Sequence, residues 1–132
     1  MATPPVALGL TLCDYVLIEE GSRRVSLIGS LMRMVADRFP HAPPTFCIHA
    51  ALTDGRGDVT LDLVATRLDT YETVASRKRQ IHFTDRLEEL QVIFRIKDWT
   101  FPAPGLYEIA LLVDNEPIAQ RRIRVFSTEE AP

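Results

Sequence analysis

Apolar and polar residues alternate along most of the chain. Successive side chains of a strand point to opposite faces of a sheet, so this alternation predicts strands with one face in a core. Clear alternating segments occupy residues 46–52, 59–66, 90–97 and 107–113, and a turn at 113–118 leads into a last strand that ends near Phe126. The more polar run 72–83 is predicted to be a further strand. The pattern therefore predicts a protein built mainly of β-strands.

The N-terminal third has a different pattern. Residues 8–18 and 25–35 are apolar at both odd and even positions, as in central strands whose two faces are both covered. The Glu-Glu-Gly-Ser sequence at 19–22 predicts the turn between them. A helix is the competing interpretation for 25–35, but β-branched residues, Gly29 and two serines disfavour it.

Two short motifs predict connections between elements. Asp54, Gly55 and Gly57 are residue types that adopt positive φ in tight turns, so we expect a hairpin between the segments 46–52 and 59–66. Asp85 and Glu88 have the spacing of a helix capping box, which predicts one short helical turn near 85–89.

Length and strand spacing together predict the fold. A chain of 132 residues is the size of one ordinary domain. Roughly eight short strands with almost no helix favour an all-β, antiparallel sandwich of about 7–9 strands, with a barrel as the related alternative. We expect one domain over residues 1–132, with an ordered core at about 7–127 and short flexible termini.

A tyrosine at the start of the segment 107–113 favours the sandwich. Greek-key sandwiches often place a tyrosine there, and its hydroxyl bonds to the backbone across the corner. The chain also resembles a family of small bacterial proteins of unknown function, and the resemblance covers residues 12–125. It rests on Cys13-Asp14-Tyr15-Val16, Ser26-Leu27-Ile28-Gly29, Gly57-Asp58, Pro104-Gly105-Leu106-Tyr107, Val113-Asp114 and Arg122-Ile123-Arg124-Val125. The resemblance implies an immunoglobulin-like sandwich and no activity.

Composition and charge exclude several classes of function. The net charge of -3 gives no overall field that would hold the protein on nucleic acid or an anionic membrane. The first residues lack the basic start and long apolar run of a secretory signal, so we expect a cytoplasmic protein. Cys13 and Cys47 are then expected to be buried thiols rather than a disulfide. No motif predicts a metal or cofactor.

Three sets of residues were candidates for chemistry, and each has a simpler structural explanation. Cys47 and His49 share a strand face, but residues two apart on a strand do not readily form a catalytic pair. Asp54, Asp58 and Asp62 lack the spacing of a calcium loop. Asp14 interrupts an apolar run, where we expect its carboxylate to accept backbone or tyrosine hydrogen bonds at a strand end.

Charged and aromatic residues provide the candidate binding sites. Arg77, Lys78 and Arg79 lie together in the polar strand, where they either protect a sheet edge or meet an acidic partner or phosphate. The basic residues Arg121, Arg122 and Arg124 have the same two interpretations. Trp99 and Phe101 lie next to a proline-rich loop and either contact a ligand or close the end of the core.

The favoured function is a non-catalytic protein-interaction or assembly module, whose partner is another protein or a second copy of the chain. The alternative is a module that binds a small molecule or a carbohydrate near Trp99. An enzyme is the least favoured class, because no catalytic set of residues is recognisable.

Overall fold

A computed structural model describes residues 3–129, which form nine strands in two sheets. The predicted flexible termini include residues 1–2 and 130–132, which lie outside this range. The strands are β1 (Val6–Ile18), β2 (Val25–Ser30), β3 (Arg33–Ala36), β4 (Phe46–Thr53), β5 (Gly57–Arg67), β6 (Glu72–Phe83), β7 (Leu90–Ile96), β8 (Gly105–Val113) and β9 (Glu116–Ser127). Within residues 3–129 there is no helix of the length and apolar character that a membrane crossing requires.

The two sheets pack face to face around one core. One sheet has the strand order β2-β1-β4-β7, and the other has the order β3-β9-β8-β5-β6. Alternate residues of the central strands point inward and are fully buried, including Leu12, Ile48, Leu61, Leu63 and Ile109. Each such side chain contributes about 1.5–3 kcal/mol by leaving water. The predicted all-β sandwich and the period-two segments are confirmed.

The prediction for residues 25–35 is wrong. The segment is divided into two short strands in different sheets, and β2 is an edge strand whose residues are almost all exposed. β3 pairs with β9 in parallel, which makes it the exception in an otherwise antiparallel arrangement. For 8–18 the central position is correct, because β1 lies between β2 and β4. The expectation that both faces of this strand are covered is wrong, since Leu8, Tyr15 and Leu17 are each more than half exposed. Apolar residues at both parities therefore do not indicate burial in β2.

The predicted hairpin at 54–57 is also wrong. β4 and β5 belong to different sheets, so this turn carries the chain from one sheet to the other. Asp54 and Gly57 do adopt positive φ, as the motif predicts. A Cβ on Gly55 would lie 2.5 Å from the Phe83 ring, which explains the glycine there. The turn residues thus specify the local backbone but not the pairing of the flanking strands.

Two other local predictions hold, and the helical turn predicted near 85–89 is replaced by a hydrogen-bonded turn. Asp114 and Asn115 both have positive φ in the two-residue turn between β8 and β9. The Tyr107 hydroxyl donates a 2.6 Å hydrogen bond to the Ala103 carbonyl, as in a tyrosine corner. Asp85 and Glu88 accept backbone hydrogen bonds at 2.7 and 2.8 Å, but they close a single turn and no helix follows.

Candidate binding surfaces

The two sheets have four edge strands, and these differ in charge. An edge strand presents unpaired backbone groups that another chain can pair with, and charged side chains prevent such pairing. The edges β3, β6 and β7 each carry at least one arginine, and β6 carries the dense run Arg77-Lys78-Arg79. β2 has the sequence Val-Ser-Leu-Ile-Gly-Ser and contains no charged residue. The β2 edge is therefore the one among the described strands without this protection.

Arg77 and Arg79 close the open side of the sandwich. They lie opposite the buried residues Leu63 and Leu61 in the pairing of β5 with β6, so they share the inner face of the edge strand. Arg79 Nη1 donates to the Ile93 carbonyl of β7 at 2.6 Å, and Arg77 Nη2 lies 3.1 Å from Asp98 Oδ1. Inward-pointing charges that tie two edges together support the interpretation as edge protection.

Lys78 points to the opposite face. Its Nζ is 3.8 Å from Asp62 Oδ1, and 75% of its side chain is exposed. On the same outer face, His82 Nδ1 lies 2.8 Å from Asp58 Oδ1. The three predicted basic residues therefore do not act as one continuous patch on a single face, as the alternation along the strand predicts.

A basic groove runs between β6 and β7. It has a volume of about 700 Å³, and its charged lining residues are Arg77, Lys78, Arg79, Arg95, Lys97 and Asp98. The side chains of Arg95 and Lys97 have neither a hydrogen bond nor an ion pair to a residue in 3–129. Neither residue was predicted as a site residue, because a turn and most of β7 separate both from the charge run in the sequence.

Trp99 and Phe101 are core residues. Trp99 is 4% exposed and packs edge to face on Phe46, and Phe101 packs in the same way on Tyr107 with ring centroids 5.0 Å apart. Of the two interpretations left open by the sequence, burial supports closure of the core. Trp99 also lines a small recess that shares Arg77 and Asp98 with the basic groove. Its indole Nε1 has no hydrogen-bond partner among the described residues.

The second candidate surface is a two-stranded ribbon formed by the C-terminal part of β1 and by β2. Pairing of β1 with β4 ends at Cys13, and pairing with β2 begins there. Residues 14–18 are therefore paired with β2 alone. A two-stranded β-structure is marginally stable in water unless one of its faces packs against something. We call residues 14–18 and 25–29 the β1–β2 ribbon.

Both faces of the β1–β2 ribbon expose apolar side chains. Tyr15 lies opposite Ile28 on one face, and Val16 lies opposite Leu27 on the other. The exposed large side chains are Tyr15 at 63%, Leu17 at 55%, Ile28 at 45%, Ile18 at 40% and Leu27 at 37%. Large contiguous apolar surfaces on soluble proteins mark interaction sites. In the sequence this surface corresponds to apolar residues at both odd and even positions. The same pattern also predicts a strand that is buried on both faces, which is the interpretation given above.

The two thiols meet on the outer face of the four-stranded sheet. Cys13 lies directly opposite Cys47 in the pairing of β1 with β4, and both are free and buried. Burial raises the pKa of the Cys13 thiol above its ordinary value, and the neighbouring Cys47 and Asp14 raise it further. His49 Nε2 lies 2.5 Å from Gln91 Oε1. No hydrogen bond joins His49 to Cys47 within residues 3–129, so this pair is not arranged as a nucleophile and base.

The candidate carboxylates are dispersed. Asp14 is exposed beside Gly29, whose added Cβ would collide with the Asp14 carboxylate. The expectation that Asp14 accepts backbone or tyrosine hydrogen bonds is wrong, because none reaches it from the described residues. In the same part of the chain, no group of three or more metal-ligating side chains is close enough to hold an ion.

Two of the three basic residues of β9, Arg122 and Arg124, have individual contacts, and no such contact of Arg121 is seen among residues 3–129. Arg122 Nε is 3.9 Å from Glu108 Oε2, and the Arg124 guanidinium lies 5.9 Å from the centre of the Phe126 ring. Arg33 of β3 approaches the same ring at 5.0 Å. These contacts explain the arginines as stabilising pairs at the surface of the five-stranded sheet.

A family model matches residues 8–126, which is nearly the whole described chain. The chain belongs to DUF6941, a family of unknown function. The resemblance noted from the sequence to a family of unknown function is confirmed to that extent. No curated protein matches this DUF6941 chain.

Several solved structures share a similar arrangement over part of their length. A β-glucosidase from Listeria innocua in complex with glucose is 11% identical with a TM-score of 0.49, and the match covers 89% of this chain and 16% of that one. The alkylpurine DNA glycosylase AlkC of Pseudomonas fluorescens, bound to DNA with an abasic site analogue, is 9% identical with a TM-score of 0.47 and coverages of 89% and 30%. The DUF6941 chain thus spans less than a third of either protein. At these values the likenesses carry no argument about function.

Proposed function

We propose that this chain is a non-catalytic assembly module that pairs with a second copy of itself through the β2 edge. The observation that carries the proposal is the β1–β2 ribbon, in which an uncharged edge strand joins two exposed apolar faces. Antiparallel pairing of β2 with its own copy joins the two four-stranded sheets into one continuous sheet. It also covers apolar surface that a lone two-stranded ribbon leaves in water.

The chemistry of β2 favours a second copy over an unrelated partner. Recognition of a different protein is usually encoded by complementary charges, which β2 lacks. An uncharged strand can lie antiparallel to its copy with no like charges in contact. Two β6 strands placed in the same way would bring two Arg77-Lys78-Arg79 runs together, which repel each other. Twofold dimers are also the commonest form of homo-oligomer.

A non-catalytic role is supported by the dispersion of the reactive side chains. Cys47 faces Cys13, His49 contacts Gln91, and Asp14 lies exposed beside Gly29. Catalysis by a nucleophile and base requires these groups within hydrogen-bond reach of each other. The buried positions of Trp99 and Phe101 likewise leave neither of these two rings available for a sugar to stack on.

We also propose the immunoglobulin-like class for the sandwich. The support is the tyrosine corner at Tyr107, together with a tryptophan that packs in the core at the end of the four-stranded sheet. The parallel pairing of β3 with β9, in a segment that crosses from one sheet to the other, is compatible with such a sandwich.

The proposal is tested by sedimentation equilibrium of the full chain over a wide concentration range. The expected mass rises toward twice the 14.9 kDa of the chain as concentration increases. Two matched variants locate the interface: Ser26→Lys adds a charge to β2, and Ser76→Lys adds the same charge to an exposed serine of β6. We expect Ser26→Lys to weaken the dimer at least about tenfold and Ser76→Lys to leave it unchanged.

Two results would overturn the proposal. A wild-type chain that stays monomeric at every concentration excludes self-association. A dimer that both variants form equally well places the interface away from β2. Thermal melting of each variant shows whether it is folded, and because Ser26 is an exposed edge residue we expect little change in stability.

A further inference from the structure

The basic groove between β6 and β7 concentrates positive charge in a chain that is acidic overall. Five of the 15 lysines and arginines line it, together with only one of the 18 aspartates and glutamates. The residues outside the groove therefore contain more acidic than basic side chains, whereas the groove contains more basic than acidic ones. Such a separation raises the local concentration of anions at one surface although the net charge of the protein is -3.

Edge protection explains only part of this groove. Arg77 and Arg79 have structural contacts, with Asp98 and with the Ile93 carbonyl. Arg95 and Lys97 alternate with the buried Phe94 and Ile96, so they point away from the core, and neither meets a hydrogen-bonding or ionic partner in residues 3–129. Asp14 lines a recess that also contains Arg95 and Lys97, but it forms no ion pair with them among the described residues, so both side chains are free to meet an added anion.

We propose that the basic groove binds a compact anion that carries two or more phosphate groups. Its volume of about 700 Å³ is in the range of small-molecule sites. A guanidinium presents several donors in one plane and binds phosphate oxygens in pairs, and Arg77, Arg79 and Arg95 each have donors beyond the contacts described above. Lys97 adds a further cation to the lining of the groove, whereas the ammonium of Lys78 is directed to Asp62 on the other face of β6.

A nucleic acid fits the groove less well than a compact phosphate. Single-stranded nucleic acids are held by exposed aromatic rings as well as by cations. Trp99 is the aromatic residue with a side chain in the adjoining recess, and it is 4% exposed, so it offers no stacking surface. Trp99 does provide a signal: it is the only tryptophan in the chain, and a bound anion beside Arg77 and Asp98 is expected to change its fluorescence.

The experiment is calorimetric titration of the full chain with inorganic tripolyphosphate at about 50 mM salt, with Trp99 fluorescence recorded in parallel. We expect saturable binding at one site per chain. The variant Arg95→Gln with Lys97→Gln removes two cations that have no structural contact, and we expect it to weaken binding at least about tenfold. The control Arg38→Gln with Arg86→Gln removes the same charge from exposed loop positions, and we expect less than a twofold change.

Titrations with three other ligands test which chemical class of anion the groove binds. Citrate matches the charge of a small polyanion without phosphate, a short acidic peptide represents a protein ligand, and a short single-stranded DNA represents nucleic acid. Weaker binding of all three than of tripolyphosphate supports the proposal. The absence of saturable tripolyphosphate binding would overturn it, as would an equal loss in both double variants or tighter binding of citrate, peptide or DNA. None of these results depends on whether the chain forms a dimer.

Discussion

Strands β2 and β6 both end a sheet, but they meet solvent in different ways. β6 carries Arg77, Lys78 and Arg79, and two of these side chains reach across to β7. β2 carries no charge, and the β1–β2 ribbon to which it belongs is apolar on both faces. Unprotected edges invite pairing, and three of the four described edges are protected while one is apolar. This contrast is the support for our proposal that β2 pairs with a second copy.

The exposed side chains of β6 and of the β1–β2 ribbon also differ in their contacts. The exposed charges of β6 have nearby partners in Asp98, Asp62 and the Ile93 carbonyl. The exposed Tyr15 lies opposite Ile28, and the exposed Leu17 lies opposite Ser26. Apolar side chains in water carry an unfavourable free energy that burial removes at about 25 cal/mol per Å². We therefore expect a partner that covers the ribbon to stabilise the protein.

The largest expected effect comes from removing the protection of β6. The triple variant Arg77→Gln, Lys78→Gln, Arg79→Gln leaves β6 as uncharged over this stretch as β2. We expect it to form larger assemblies than the wild type, visible by light scattering, because each chain then has two edges that can pair. The control Arg38→Gln, Arg56→Gln, Arg86→Gln removes the same number of charges from exposed positions outside β6 and should scatter like the wild type.

The body of the sandwich provides the reference for stability. Tyr107→Phe removes the 2.6 Å hydrogen bond to the Ala103 carbonyl and keeps the packing of the ring on Phe101. We expect a loss of about 1–2 kcal/mol and a fall in Tm of about 5 °C. An unchanged Tm would mean that the corner contributes no stability. The mass distribution should not change, because Tyr107 is fully buried and far in sequence from β2.

The bond between the two edges at Arg79 is expected to contribute less. Arg79→Met keeps the apolar part of the side chain but removes the donor to the Ile93 carbonyl. We expect a loss of about 1 kcal/mol in the free energy of unfolding from urea titration. Lys78→Met is the matched change on the next residue, where an exposed pair with Asp62 contributes less than about 0.5 kcal/mol. Equal effects would contradict the closing role assigned to Arg79.

The smallest effect is the pH dependence that arises from Cys13. Its pKa is raised in the folded chain, chiefly by burial, from an ordinary value of 9.0. Well below pH 9.0 the thiol is neutral in both states, so it adds no pH dependence there. Above that pH the unfolded thiol ionises first, so the contribution of Cys13 to stability falls as pH rises toward the folded pKa. Melting curves of wild type and Cys13→Ala should therefore diverge only at alkaline pH; parallel curves would contradict this.

The sequence was sufficient for the strands and for the core, because both depend on local pattern. Alternation located β4, β5, β7 and β8, and the Tyr107 corner was predicted from three neighbouring residues. Strand pairing was predicted less well. The turn at 54–57 has the residues of a hairpin, but which sheet β5 joins is decided by long-range packing of residues such as Gly55 on Phe83. A turn motif contains no information on that packing.

The candidate surfaces were predicted only in part. Arg77, Lys78 and Arg79 were recognised as a charged edge, but Arg95 and Lys97 join them only because β6 and β7 end neighbouring sides of the two sheets. The sequence alone does not decide whether Trp99 and Phe101 contact a ligand or pack in the core, because aromatic residues are common in both places. Residues 25–30 were expected to be buried within the domain. An apolar strand that packs inside its own domain has the same sequence pattern as one that packs against another chain. The cytoplasmic location stays a prediction.

The most direct test of the account is a cysteine scan of the two edges. Ser26→Cys, Leu27→Cys and Ile28→Cys are made singly in a chain carrying Cys13→Ala and Cys47→Ala, and Ser76→Cys, Lys78→Cys and Gln80→Cys are made as the matched set on β6. In antiparallel pairing about a twofold axis, one residue of β2 lies directly opposite its own copy, close enough for a disulfide. Pairing of β2 with its own copy predicts a disulfide-linked dimer at one β2 position on mild oxidation, and none on β6. Linking that is absent from β2, or equally frequent on both strands, would contradict it.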